Sequence, residues 1–228
     1  MVGEKSKQKA GVLFSGGKDS CLALHKAIEK GYEVDFLLSI IPENFDSFMF
    51  HKPYLNLLEK QAEMLDIELI VEGSKGIEEE EVKDLRELIK NVKDRVEVIV
   101  VGGIASSYQG KRIKKICDEF GLEFYVPLWD YDSDKVWKEL LENRFKVILT
   151  KVSCEGLSKE WLGKVIYNEE FEKLKKLAEK YKFRIDFEGG EAESAVLNMP
   201  GFKKEIKVKF DVKSEGEYRH YLEIKDVN

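Results

Sequence analysis

Short apolar runs alternate along this chain with longer stretches in which apolar residues recur every three or four positions. The runs Ala10–Phe14, Val34–Ile40, Ile67–Val71, Val96–Val101, Glu123–Val126 and Phe145–Leu149 are predicted strands. Between them, Tyr54, Leu57, Leu58, Ala62 and Leu65 share one helical face. Val82, Leu85, Leu88, Ile89 and Val92 share a second, and Ile113, Ile116, Cys117 and Phe120 a third. Strands that are apolar throughout, separated by amphipathic helices, predict a parallel sheet covered on both faces. Past residue 150 the texture changes. A helix over Glu169–Tyr181 leads into FRIDFEGG, where Phe183, Ile185 and Phe187 alternate with polar residues as in a half-buried strand. In KEIKVKFDVK, Ile206, Val208, Phe210 and Val212 fall on one side and mostly lysines on the other. The turn SEGE and the segment YRHYLEI then complete an antiparallel hairpin. The expected organisation is an α/β domain over 1–150 and a small α+β domain over 151–228.

The first strand runs into FSGGKDSC, Phe14 to Cys21. The spacing from Gly11 to Gly16 suits a P-loop, but Gly17 stands where that motif has lysine, and Asp19 where it has Ser or Thr. A GxGxxG fingerprint is also missing. The residues still suit an anion. Gly16 and Gly17 let the backbone turn and approach a ligand. The first turn of a following helix offers unpaired N–H groups and a positive dipole end. Ser15 and Ser20 add hydroxyls, Lys18 a charge, and Asp19 either a magnesium ligand or a helix cap. A plain glycine turn capped by Asp19 is the simpler alternative.

Composition narrows the classes. Lys and Arg number 38 against 44 Asp and Glu, a net charge of −6. An acidic balance disfavours broad nucleic-acid binding, which depends on neutralising phosphates. No apolar run approaches the roughly 18 residues that span a bilayer, and MVGEKSKQKAG is too polar for a secretory leader. Cys21, Cys117 and Cys154 form no CxxC pair and no disulfide framework. The expected location is the cytoplasm, with no membrane partner and no structural zinc.

SGGKDS resembles the signature of the PP-loop ATP pyrophosphatases, which cleave ATP between its α and β phosphates. The resemblance implies a doubly wound five-stranded parallel sheet of the adenine nucleotide alpha hydrolase-like kind, with the loop at the switch point. It implies ATP and Mg2+ as the bound groups, with Ser15, Gly16, Gly17, Lys18, Asp19 and Ser20 around the nucleotide and Asp19 as the metal ligand.

Further stretches resemble one branch of that superfamily, the diphthine–ammonia ligases. GGIASSYQGKRI matches its pattern at Gly102, Ile104, Ser106, Tyr108, Gln109 and Arg112. DSFMFH (Asp46–His51), PLW (Pro127–Trp129), GLSKEWLGK (Gly156–Lys164) and EGGEAES (Glu188–Ser194) resemble other family segments. Ala192 departs from the pattern, which usually has an aromatic there. The resemblance implies ATP-dependent amidation of diphthine, the modified histidine of elongation factor 2, through an adenylated carboxylate that ammonia displaces. It adds Gly102 and Gly103 to the nucleotide site and implies substrate contacts at His51, Ser106, Tyr108, Gln109 and Trp129. Catalytic candidates are Lys18, Asp19, Arg112, Glu188, Glu191 and Glu193, with the small C-terminal domain facing the protein substrate. The trimethylammonium group of diphthine would suit an aromatic contact from Tyr108, Trp129 or Tyr131. The oligomeric state is open, a homodimer being one option.

Several alternatives remain at this level. Arg112 fits a solvated KRIKK helix face, the three glutamates a charged turn, Trp129 a core position and His51 a structural role. A tRNA-modifying PP-loop enzyme and a nucleotide-binding protein without turnover are the competing functions. Thiolation chemistry needs a reactive cysteine, and the three isolated thiols argue against it. A built-in glutaminase needs its own nucleophile, and Val2 supplies none, so free ammonium is the expected nitrogen donor.

Overall fold

The computed structural model describes residues 7–42, 54–76, 78–103, 107–129 and 131–228, with the side chains of residues 78, 79 and 107–109 outside the description. In chain order the elements are β1 (Lys9–Leu13), α1 (Lys18–Lys30), β2 (Glu33–Pro42), α2 (Leu55–Leu65), β3 (Glu68–Ser74), α3 (Glu78–Lys90), β4 (Val98–Val100), α4 (Ser107–Phe120) and β5 (Glu123–Tyr125). They are followed by α5 (Ser133–Glu142), β6 (Lys146–Val152), α6 (Asn168–Tyr181), β7 (Ala192–Asn198), β8 (Val208–Ser214) and β9 (His220–Val227). By internal contacts the chain divides into two units. One gathers Met1–Ser15, Leu22–Pro53 and Asp66–Trp129; the other gathers Gly16–Cys21, Tyr54–Leu65 and Asp130–Asn228.

The first unit holds five parallel strands in the order β3-β2-β1-β4-β5. Its α/β class and its five strands are those that the PP-loop resemblance implies. Apolar side chains from the strands (Phe36, Leu38, Ile40, Ile99) meet those of α3 (Leu85, Leu88, Ile89) and α4 (Ile113, Ile116, Cys117) in one buried cluster. Packing inside this sheet is tight at Gly11, where a Cβ would come within 3.1 Å of Leu38 Cδ1. The strand order reverses between β1 and β4, paired at Val12 and Val100. Segments leaving the carboxyl ends of two such strands form the usual ligand crevice of an open α/β sheet. Here those segments begin with Phe14–Ser15 and Val101–Gly103.

The second unit holds a four-stranded sheet in the order β7-β6-β9-β8, all pairs antiparallel. Four features differ from the sequence expectation, the first being that Ala192–Asn198, at the end of EGGEAES and beyond, forms strand β7. The Phe145–Leu149 run, grouped above with the parallel strands, becomes β6 of this sheet. It lies between β7 and β9, and its consecutive Val147, Ile148 and Leu149 are all buried, so both faces are apolar there as in a parallel strand. FRIDFEGG forms turns instead of a strand, and its Phe187 has φ +63°. Of its alternating apolar residues, Phe187 is buried, with Trp137 edge-on to it at a centroid distance of 6.1 Å, while Phe183 and Ile185 are half-buried. Helix α5 was not anticipated. Asp132 caps it by accepting the Lys135 N–H at 2.7 Å, and Val136, Trp137 and Leu140 form its buried face. Among the described residues, no helix is long and apolar enough to cross a membrane.

Candidate active site

Strand β1 delivers the glycine loop from a fixed exit. The Phe14 N–H donates to Leu38 O at 2.8 Å, and Ser39 Oγ donates to Phe14 O. Beyond that exit, the loop residues Gly16–Cys21 belong to the second unit and are held there by segments far away in sequence. The Gly16 carbonyl accepts the Val196 N–H at 3.0 Å and Gln61 Nε2 at 3.0 Å. The Lys18 N–H donates to Ser194 Oγ at 3.1 Å. Ser20 Oγ and the Cys21 N–H both donate to Gly17 O at 3.1 Å, closing the first turn of α1. Gly16 sits at φ +73°, where L side chains are strained.

Lys18 is 2% exposed. Its ammonium donates to Asp19 Oδ2 at 2.7 Å and to the Asp186 carbonyl at 2.6 Å, and it lies 5.8 Å from the centroid of the Phe187 ring. A buried ammonium is costly to desolvate unless paired. The carboxylate, the carbonyl and the ring face together supply that pairing.

The segment from Ile185 to Glu188 is braced from several sides. Trp137 Nε1 donates to Ile185 O at 2.8 Å. The Asp186 carboxylate accepts from Arg184 Nε at 2.9 Å, Arg184 Nη2 at 2.7 Å, Ser133 Oγ at 2.7 Å and the Glu188 N–H at 3.0 Å. Burial alone would raise its pKa, but these bonds and the Arg184 charge outweigh burial and hold it at about 2. A carboxylate with a folded pKa below its unfolded value stabilises the fold above the unfolded value, near 3.8. That stability is lost as pH falls through about 2. We therefore expect the stability difference between the wild type and Asp186→Asn, measured by urea denaturation, to be constant above about pH 5. It should shrink steadily between pH 4 and pH 2.

The three glutamates of EGGEAES do different things. Glu191 accepts the Arg184 N–H at 3.0 Å and the Gly189 N–H at 2.9 Å, which makes it a brace of the turn. Glu193 lies on β7 and pairs with Lys151 at 2.8 Å across the sheet. Glu188 is half-buried, and among the described residues its carboxylate has no hydrogen bond or ion pair. Burial raises its pKa first and the Asp19 carboxylate second, with Lys18 opposing both. Of the three, Glu188 is thus the glutamate whose carboxylate is unengaged among the described residues, within electrostatic reach of Asp19 and Lys18.

The structure therefore brings together Gly16, Gly17, Lys18, Asp19, Ser20 and Glu188, with Glu191 and Glu193 as supports. In the first unit, Ser15 is exposed, Gly102 is buried and Gly103 is exposed. Arg112 is half-buried on α4, and Trp129 is 54% exposed and so outside the core. Tyr108 and Gln109 lie on α4 by backbone only, while His51 and Ser106 fall outside the described residues. Tyr131 already presents its ring to a cation, Lys135 Nζ at 3.6 Å from the centroid. Burial raises all three thiols, Cys117 to about 12 and Cys154 to about 11.

Gln61, Trp137, Asp186 and Ser194 were missing from the residues singled out by sequence. Ser194 closes the EGGEAES motif. Gln61 is the one polar member of the buried α2 face formed with Leu57, Leu58, Ala62 and Met64.

Family models match in tandem. Residues 8–124 fit the diphthamide synthase N-terminal domain and residues 132–228 the diphthamide synthase C-terminal domain. The chain belongs to the diphthine–ammonia ligase family. The mouse (Mus musculus) diphthine–ammonia ligase is 31% identical over 221 residues, covering 88% of this chain and 82% of that protein. The human (Homo sapiens) one is 31% identical over 219 residues, with 87% and 82% covered. The Schizosaccharomyces pombe diphthine–ammonia ligase is 34% identical over 212 residues, covering 85% of this chain but 35% of that longer protein. This chain thus spans most of the mammalian family members and about a third of the S. pombe one.

Proposed function

We propose that this chain is an AMP-forming ligase that converts diphthine on elongation factor 2 to diphthamide, using ATP and ammonium. One observation carries the reading. The SGGKDS loop and the family segment EGGEAES, 176 residues apart at Lys18 and Ser194, are joined by the Lys18 N–H to Ser194 Oγ bond. They share a buried ammonium and a raised carboxyl, and family membership supplies the acceptor.

In the proposed reaction a diphthine carboxylate oxygen attacks the α phosphorus of ATP, and the bond to the bridging oxygen breaks, releasing pyrophosphate. Ammonia then attacks the acyl carbon, and AMP departs with that carboxylate oxygen. The Lys18 ammonium and the positive dipole end of α1 stabilise charge growing on the phosphates. The neighbouring Glu188, its basicity raised by burial, accepts the proton lost by ammonium. From the family pattern, Ser15, Gly102 and Gly103 are proposed nucleotide contacts and Arg112 a proposed phosphate or carboxylate contact. Trp129, Tyr108, Gln109, Ser106 and His51 are the proposed diphthine-side contacts, and the C-terminal domain faces elongation factor 2.

Asp19 is a fitting carboxylate for Mg2+, which commonly takes one or two carboxylates and completes its shell with phosphates and water. Among the described residues no group of three or more His, Cys, Asp or Glu could hold a metal by itself. When bound, the ion would neutralise the pyrophosphate leaving group.

The test is acceptor dependence. With α-labelled ATP, AMP should form only when diphthine-bearing elongation factor 2 and ammonium are both present, one AMP per amide. Equal AMP formation with unmodified elongation factor 2, or with tRNA in its place, would contradict the proposal.

A further inference from the structure

Gln61 lies on α2, 45 residues from the glycine loop, and is 0% exposed. Its Nε2 donates to two carbonyls at once, Gly16 O at 3.0 Å and Val196 O at 2.8 Å. The Val196 N–H returns to Gly16 O at 3.0 Å. One amide group therefore ties the second glycine-loop position to strand β7, two residues beyond the Ser194 whose hydroxyl holds the Lys18 N–H. The fit is close. A Cβ on Gly16 would stand 2.2 Å from Gln61 Oε1 and 2.9 Å from Leu58 Cδ2. Gly16 is thus required by Gln61 as well as by its own φ of +73°.

A buried amide among Leu57, Leu58, Ala62 and Met64 would usually be replaced by an apolar side chain unless its hydrogen bonds do something. Gln61 Oε1 has no hydrogen-bond partner among the described residues. What the side chain contributes is therefore donation by Nε2 to the two carbonyls.

We propose that Gln61 is a positioning residue for the phosphate-binding loop. It fixes the Gly16 carbonyl against β7 before nucleotide arrives, so that the N–H groups at the start of α1 and the Lys18 ammonium are already aimed. This rests on the reading of the loop as a polyphosphate site. An unclamped loop must be ordered during binding, and that ordering lowers affinity.

Three variants and one exchange measurement test it. Gln61→Met keeps the side-chain length but has no donor, and should weaken binding of ATP with magnesium at least tenfold by calorimetry. Gln61→Glu, when ionised, sets a carboxylate against two carbonyls; when protonated it offers one donor. Its ATP affinity should recover at least fivefold relative to wild type between pH 8 and pH 5.5, a profile that loss of packing alone does not produce. Gln61→Leu should resemble Gln61→Met at every pH. ATP affinities of Gln61→Met and Gln61→Glu within twofold of wild type, with no pH trend, would overturn the proposal.

If the variants do not fold, hydrogen exchange in the wild type decides. The Val196 N–H should be protected without nucleotide and little changed by ATP. A Val196 N–H that exchanges freely until ATP is added would equally overturn a preformed clamp. Failure of the wild type to bind ATP would instead defeat the nucleotide-site reading. Val196 protection in wild type against Gln61→Met would still report on the clamp.

Discussion

Replacing Lys18 with methionine should lower AMP formation about 10²–10³-fold at saturating ATP, the usual loss when one preorganised charge stabiliser is removed. The ammonium is 2% exposed and has two close partners, the Asp19 carboxylate at 2.7 Å and the Asp186 carbonyl at 2.6 Å. Methionine fills a similar volume without a charge, so the change is mainly electrostatic. Removing one partner of a buried pair also destabilises a protein by leaving the other charge uncompensated. Here the Asp19 side chain is 26% exposed, and water compensates part of that loss. The variant should therefore melt lower than wild type yet remain folded at 25 °C. Single-turnover AMP formation and a thermal melt by circular dichroism measure the two effects separately. A folded Lys18→Met enzyme with AMP formation within threefold of wild type would remove Lys18 from the chemistry.

The largest loss of stability should come from Trp137, which touches neither loop glycine. It is 0% exposed, tilted against Phe171 with centroids 5.5 Å apart, edge-on to Phe187, and bonded through Nε1 to the Ile185 carbonyl. Trp137→Ala should cost about 3–5 kcal/mol, the range for deleting a large buried aromatic. Trp137→Phe retains most of the apolar contact but leaves the Ile185 carbonyl without its donor, and should cost about 1–3 kcal/mol. The functional consequence follows from chain connectivity. Ile185 is followed directly by Asp186, whose carbonyl holds Lys18, and by Phe187 at φ +63°. A left-handed non-glycine residue persists only where its surroundings hold it. Trp137→Phe should thus weaken ATP binding severalfold in protein that is still folded. Urea denaturation gives the first quantity and calorimetry the second. Equal denaturation midpoints for Trp137→Phe and wild type would show that the Ile185 bond contributes nothing.

The parallel sheet was legible because each of its strands carries a continuous apolar run and each connection has helical spacing. Lys18, Asp19 and Glu188 were legible because charged residues beside glycine pairs are conspicuous in sequence. The supporting residues were not. Gln61 is an ordinary polar letter on an apolar helix face until Gly16 is known to pack against it, and Asp186 functions through its carbonyl as much as its carboxylate. The alternation of Phe183, Ile185 and Phe187 suggested a strand because burial can imitate strand periodicity when a turn is packed by an indole. Glu191 and Glu193 matched the same motif as Glu188, but only geometry separates a turn brace and a cross-sheet ion pair from an available base. Strand β6 was assigned to the wrong sheet because Val147, Ile148 and Leu149 are buried on both faces, which gives the same apolar run as a parallel strand.

The central claim is that this loop directs adenylation of a carboxylate. It is tested most directly with diphthine-bearing elongation factor 2 whose diphthine carboxylate carries oxygen-18. The account predicts that each AMP formed in the presence of ammonium contains one oxygen-18 atom and that the pyrophosphate contains none. AMP free of the label, or ADP and phosphate as products, would contradict it.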